Sequence, residues 1–194
     1  DDEIRCHIEE MLADRYENLD IRIGRARLVE GQGIVLGNLA IATKENPGPA
    51  NPLVTIDEIW IVSDVGLPEL LQGTFPIDRI IVRRPRCRIV NKKDTVWNWD
   101  PLFPSPKFTD GPLDLLVEGG QIEIVNESDD VKPLLFHDVR LVAKRTVTRP
   151  AAGIIPESPI EFELTSGSPD IQYLELHGTY NATKTALMAN GRIT

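Results

Sequence analysis

The chain has 194 residues, 41% of them apolar, and a formal net charge of −9. That size and apolar content suit one ordinary domain or one long open β-array and exclude a disordered chain. The acidic balance argues against a nucleic-acid partner, which selects a basic stripe, and no apolar run approaches the ~20 residues that cross a bilayer as a helix.

Residues 2 to 17 fit a helix. Ile4, Ile8, Met11, Leu12 and Tyr16 recur at helical spacing, and Asp1, Asp2 and Glu3 suit its positive end. Nearly everything after it reads as strand and turn. Ile21 and Ile23 alternate with Arg22 and Gly24, Gly31-Gln32-Gly33 turns the chain, and Ile34 to Thr43 returns as the second arm of a hairpin. Asn46 to Pro52 is a loop. Val54 to Val62 is a third strand, with Asp57-Glu58 a candidate bulge.

Pro68 to Gln72 reads as one helical turn closed by Gly73. Ile77, Ile80 or Ile81, Val82, Cys87 and Ile89 then mark strand faces among Asp78, Arg79, Arg83, Arg84, Arg86 and Arg88. Pro85 cannot donate to a ladder, so it is expected at a corner or an edge, splitting two strands. The basic stripe from Arg79 to Lys93 reads first as a solvated strand face and second as an attraction to anionic headgroups or an acidic partner. Trp97 and Trp99 flank Asn98 in a corner where one indole is expected to plug the core edge, with an interfacial lipid anchor as the alternative.

Leu113 to Val125 is a strand with a candidate break at Gly119-Gly120. Leu134 to Arg145 follows, with Val139, Leu141 and Ala143 on one face. Ile160, Phe162 and Leu164 alternate with Glu161 and Glu163, and Ile171 to Tyr180 and Lys184 to Met188 supply the last strands. Asn190-Gly191 reads as a hairpin turn opening a return strand, which makes the chain the opening segment of a longer protein. No helix separates the strands, so parallel crossovers are excluded and an antiparallel meander is expected. Its apolar face must be hidden by closing into a barrel, pairing with a second sheet, or curling into a trough.

No catalytic set is legible, and no enzyme is expected. His7, His137 and His177 lack partners at metal-ligand spacing, and Gly31, Gly33 and Gly37 fail the phosphate-loop fingerprint, so neither metal nor cofactor is expected. Cys6 and Cys87 read as two small buried apolar residues. A bridge between them requires the helix to lie over the Cys87 strand.

The order of these parts resembles the N-terminal region of the AsmA-like proteins, bacterial relatives of bridge-like lipid transfer proteins. The helix from Asp2 to Tyr16 is followed by the hairpin from Leu19 to Ala42 with Gly31-Gln32-Gly33-Ile34-Val35-Leu36. Next come Val54-Thr55-Ile56-Asp57-Glu58-Ile59, then Leu67-Pro68-Glu69-Leu70-Leu71-Gln72-Gly73 through Ile77, Ile80, Pro85 and Ile89, then Asn98-Trp99. Val117 to Ile124 with Phe136 to Leu141 is similar to a later unit of the family. Two departures are visible. Val96 stands where the family has a glycine before Asn-Trp, and the membrane anchor that precedes the helix has no counterpart here.

The resemblance implies a mainly β fold: an antiparallel sheet curled into an open, taco-like trough, with residues 1–18 as a helix capping the groove and 19–194 as the curved sheet. It implies a periplasmic protein anchored to the inner membrane, with phospholipid, the membrane and the remaining groove of the same chain as partners. The groove-lining candidates are the alternating apolar positions Ile21, Ile23, Val35, Ile56, Ile61, Val82, Ile89, Ile122, Ile124, Val139, Leu141, Ile160, Phe162, Leu164, Leu174 and Leu176. The alternative is a non-catalytic periplasmic scaffold or outer-membrane assembly factor whose apolar face is closed by its own helix or a partner chain.

Overall fold

A computed structural model of the chain describes residues 2–44, 52–63, 77–91, 97–100, 113–126, 132–145, 159–181 and 186–194. Helix α1 (Asp2–Arg15) precedes nine strands. They are β1 (Leu19–Val29), β2 (Gly33–Thr43), β3 (Val54–Val62), β4 (Arg79–Asn91), β5 (Leu113–Asn126), β6 (Leu134–Arg145), β7 (Ile160–Gly167), β8 (Leu174–Asn181) and β9 (Ala186–Ile193). They form one sheet in sequential order β1 to β9, which leaves β1 and β9 as its two edges and the sheet unclosed. The fold is mainly β and mostly antiparallel, with one N-terminal helix.

Helix α1 forms because its apolar stripe has a place to go. Ile4 and Ile8 are buried against Ile23 and Ala26 of β1 and Ile34, Leu36 and Leu39 of β2, with Leu12 at the margin. Met11, on the same predicted stripe, is 49% exposed. The helix also guards the open edge of β1. Glu9 accepts the Ile23 backbone N–H at 2.7 Å and is braced by Arg5 at 2.9 Å, so one donor of an otherwise unpaired edge is satisfied.

The structure corrects the sequence reading in several places. Pro85 marks neither a corner nor an edge, because β4 runs unbroken through it between β3 and β5. The β4–β5 ladder lapses there, passing from Arg83–Glu118 to Arg86–Gln121, so the missing N–H falls in a gap of the pairing. Parallel pairing is present, since β4 and β5 run side by side in the same direction. A parallel return needs a dozen or more residues but no helix. Residues 92–112 span up to ~70 Å when extended, ample to retrace a strand of ~43 Å. Asn190-Gly191 lies inside β9, paired with His177 and Leu176. Gly191 is there for close approach: a Cβ on it would sit 2.2 Å from Leu176 Cδ2. Cys6 is exposed and both cysteines are free, because α1 packs over β1 and β2 rather than over Cys87. The helical turn expected at Pro68 to Gln72 lies outside the described residues.

Where β3 stops, Asn98 takes over its ladder. Arg88 N–H still donates to Leu53 O at 2.9 Å. Beyond that point the Asn98 side chain donates to Arg88 O at 2.9 Å and accepts Val90 N–H at 2.7 Å, while Asn98 N–H donates to Val90 O at 3.0 Å. The indoles of Trp97 and Trp99 pair with each other, centroids 6.1 Å apart, and Trp99 is 38% exposed. The working residue of this corner is therefore the asparagine between the tryptophans.

One irregularity crosses the first five strands of the sheet. Asn38, Arg84, Gly119 and Asp138 have left-handed backbone, with φ of 54°, 49°, 64° and 53°. Asn38, Arg84 and Gly119 lie on one transverse line, while Asp138 lies beyond the Gly120–Val139 pair, where the β5–β6 register shifts. The ladders skip the pairs Gly24/Asn38, Asn38/Asp57 and Asp57/Arg84 and resume in unchanged register on the far side. At this line β1 to β5 each turn two successive residues to the same side: Gly24-Arg25, Gly37-Asn38, Asp57-Glu58, Arg83-Arg84 and Glu118-Gly119; in β6 the corresponding pair, His137-Asp138, lies further along the strand, past Val139. In β1 the consequence is plain, since exposed Gly24 and Arg25 stand between buried Ile23 and Ala26. Alternation therefore inverts at the line in β1 to β5 and one step further along in β6, where two register shifts restore the match, so the sheet stays one-sided.

Candidate functional site

Residues directly opposite in neighbouring strands point to the same side of a sheet. Following the register from β1 to β9 gives a single row: Ala26, Leu36, Ile59, Val82, Val117, Leu141, Leu164, Leu176 and Gly191. Each member is apolar. A second row on the same side runs Leu28, Ile34, Ile61, Ile80, Leu115, Ala143, Phe162, Gly178 and Ala189. Across the inverted line, Ile23, Leu39, Ile56 and Pro85 continue to Gly120 and Val139.

The remaining predicted residues fall on the same side. Ile21 joins Ile41, Val54, Cys87, Ile122 and Phe136, while Ile89 joins Ile124 and Leu134. Ile160 joins Tyr180 and Leu187, and Leu174 stands opposite Ile193. Arg145, opposite Ile160, places a charge at the rim of this side. Helix α1 covers the face over β1 and β2. Towards β9 it becomes exposed, Leu187 and Ile193 by about two-thirds. Cys87 lies within it, and burial pushes its thiol pKa up.

Val35 is the exception and is a correction. It stands opposite Arg27 and Trp60, on the other side of the sheet. The run Ile34-Val35-Leu36 has no polar member, so alternation carries no phase there and only the neighbouring strands decide it. Ile34 and Leu36, passed over in the sequence, are the inward pair. Cross-strand opposition of apolar residues is the signal that finds them.

The other side is charged, and the arginines of β4 are paired there. Arg83 meets Glu58 at 2.8 Å and Glu118 at 3.8 Å, Arg84 meets Asp57 at 2.7 Å, Arg88 meets Glu123 at 3.3 Å, and Arg79 meets Asp114 at 3.2 Å. The basic stripe of β4 thus lies between acids on β3 and β5. That favours the solvated, compensated reading of the stripe over attraction to an anionic partner. Trp60 Nε1 donates to Glu58 Oε1 at 2.8 Å, and Arg83 lies over the indole ring at 6.0 Å. Among the described residues no three of His, Cys, Asp and Glu gather as a metal site, and no helix is long and apolar enough to cross a membrane. No protein-family model, curated protein or solved structure matches the chain.

The paired acids set an acid sensitivity. The hydrogen bond from Arg84 holds the Asp57 carboxyl below the usual carboxylate range, and the charge of Arg86 adds to it, against an opposing push from burial. The Trp60 N–H, then Arg83, holds Glu58 down in the same way. A carboxyl depressed in the folded state stabilises the fold above its unfolded pKa. That contribution is lost as the pH falls through the folded value. Stability should therefore decline from about pH 4 downwards, where free carboxylates begin to take up protons. Urea midpoints at pH 7 and pH 3 should differ less for Asp57→Asn than for the parent; an equal acid loss in both would discount this pair.

Proposed function

We propose that this chain is a segment of a periplasmic lipid-conduit protein, anchored to the inner membrane, that carries phospholipid acyl chains along an apolar β-sheet face between membranes. The single observation behind the proposal is the unbroken apolar row with a charged reverse side. Such a sheet needs an apolar occupant on one side and water on the other. Each methylene taken from water onto the face contributes roughly 0.8 kcal/mol, so one acyl chain supplies ample affinity without chemistry. Headgroups remain in solvent beyond the rim. The likeness in motif order to the AsmA-like proteins points the same way. A non-catalytic scaffold is the second reading, favoured by α1, which already closes part of the face with Ile4 and Ile8.

Native mass spectrometry of the purified protein, with lipid extraction, tests the proposal. Phospholipid should co-purify. Phe162→Asp places a carboxylate in the second apolar row and should abolish retention. Arg84→Gly, on the charged side at a left-handed position that glycine accepts, should retain lipid as the parent does. Equal retention in the two variants would remove the face from consideration. A folded parent that never carries lipid would favour the scaffold.

A further inference from the structure

Strand β4 carries five arginines on the charged side of the sheet, and four of them are closely matched with acids. Arg79, Arg83, Arg84 and Arg88 each reach a carboxylate oxygen at 3.2, 2.8, 2.7 and 3.3 Å. Arg86 differs. Its register partners are Thr55 on β3 and Gln121 on β5, both neutral. Among the described residues its nearest carboxylate is Asp57 at 3.9 Å, and Arg84 already holds that group at 2.7 Å. A guanidinium presents five N–H donors in a planar fork that matches an oxyanion, so Arg86 keeps a fork to offer. We propose that Arg86 anchors a binding pocket for a monoanionic oxyanion, a carboxylate or a phosphodiester, that carries a short apolar portion. The pocket lies on the side opposite the apolar rows, so the inference goes beyond the lipid-carrying reading and does not depend on it.

Three observations define the ligand. First, Arg86 lines a cavity of about 290 Å³ together with both of its neutral neighbours, Thr55 and Gln121. The Thr55 hydroxyl and the Gln121 amide can each donate to an oxygen held by the guanidinium, and neither side chain makes a hydrogen bond among the described residues. Second, the charge around the cavity is not balanced. The guanidinium groups of Arg84, Arg86 and Arg88 face only two carboxylates, Asp57 and Glu123, which leaves a surplus of one positive charge. Glu123 lines the cavity but is held by Arg88 at 3.3 Å, and it opposes a dianion more than a monoanion. Third, part of the wall is apolar. Leu135 stands opposite Glu123, on the charged side, and is 40% exposed. With Pro52 it completes the lining and gives a few carbons of the ligand a surface on which to leave water.

Nuclear magnetic resonance of the isotopically labelled protein, titrated at low salt with hexanoate, provides the test. The backbone amides of Thr55 and Gln121 and the Arg86 Nε–H should shift saturably, and hexanol, neutral and of the same length, should leave them in place. Arg86→Gln should weaken hexanoate binding about tenfold or more, since it removes the charged fork. Arg79→Gln removes the same charge at the start of β4 and should weaken it less than about twofold, the share expected of a distant, screened charge. Phosphatidylglycerol vesicles form a second arm. Shifts of the same amides that depend on Arg86 and arise with vesicles but not with hexanoate place the oxyanion in a lipid headgroup; shifts with hexanoate place it on a free small molecule. Equal weakening by the two substitutions would reduce the effect to general attraction by a basic strand and overturn the pocket. Hexanol binding as tight as that of hexanoate, or no shift in either arm, would overturn it too. None of these outcomes bears on whether the apolar rows carry acyl chains.

Discussion

Gly33→Ala should cost more than ~3 kcal/mol, a large part of the 5–15 kcal/mol that holds a typical domain together. Gly33 opens β2 with φ of 111°, a backbone state that L-residues rarely adopt. The Cβ that alanine brings would lie 2.0 Å from the backbone oxygen of Ile61 and 2.9 Å from the backbone nitrogen of Ser63. Neither atom is the end of a flexible side chain, so strand β3 must move. That movement breaks the pairing of Gly33 with Val62 and the Ser63 N–H bond to Gln32 O, which seat β3 against the hairpin. Gly31, two residues earlier, is the natural comparison. It too is left-handed, φ 69°, yet nothing lies within 4 Å of its would-be Cβ. Gly31→Ala should lose only ~1 kcal/mol of backbone strain. Urea midpoints of the two variants separate these outcomes, provided the slopes agree. Equal losses would mean that the close approach of β3 has no energetic weight.

Ile8→Asp should detach α1 while leaving the sheet. A 14-residue helix is marginal alone in water, so its order derives from the face it buries. Only Ile4 and Ile8 of that helix are fully inserted. Truncating a buried isoleucine costs about 2–5 kcal/mol, and an unpaired carboxylate in its place adds a desolvation penalty. Far-UV circular dichroism should lose its helical component and keep its strand signal. The Ile23 amide, released from Glu9, should exchange its hydrogen faster than in the parent. The freed apolar surface over β1 and β2 should raise lipid uptake if the face carries acyl chains. A helical signal that survives the substitution would show that α1 is held by something other than these two residues.

Much of the architecture is legible in the amino-acid sequence. The helix, the β1–β2 hairpin around Gly31 to Gly33, and the one-sidedness of β7 follow from period and turn chemistry, because each is a local pattern that tertiary context did not override. Asp57-Glu58 and Gly119-Gly120 drew attention in the sequence as a bulge and a break, yet β3 keeps its register through Asp57-Glu58 and β5 runs unbroken, its irregularity falling at Glu118-Gly119. Nothing in the sequence shows that they align with Asn38 and Arg84, because alignment is a property of register between strands far apart in the chain. The same gap misled the phase of Val35 and hid Ala26, Leu36 and Ile59 from the candidate face.

Pro85 and Asn190-Gly191 failed for a related reason. Each residue type has a usual local meaning, corner and turn respectively, yet each was used for a tertiary purpose. Pro85 fills a lapse in the β4–β5 ladder, and Gly191 makes room for Leu176. The parallel pairing of β4 with β5 was excluded on the absence of a helix, although chain length alone was the physical requirement.

By itself the amino-acid order determined that this protein is mainly β, that its strands have one wet side, and that a short amphipathic helix leads them, since these follow from side-chain periodicity along a few residues. The three-dimensional arrangement alone decided which side each apolar residue joins, that five strands invert together at one line, and that the arginines of β4 meet acids on both flanks. Those features depend on which residues of distant segments stand opposite one another, and hydrogen-bond register between strands, not local pattern, sets that.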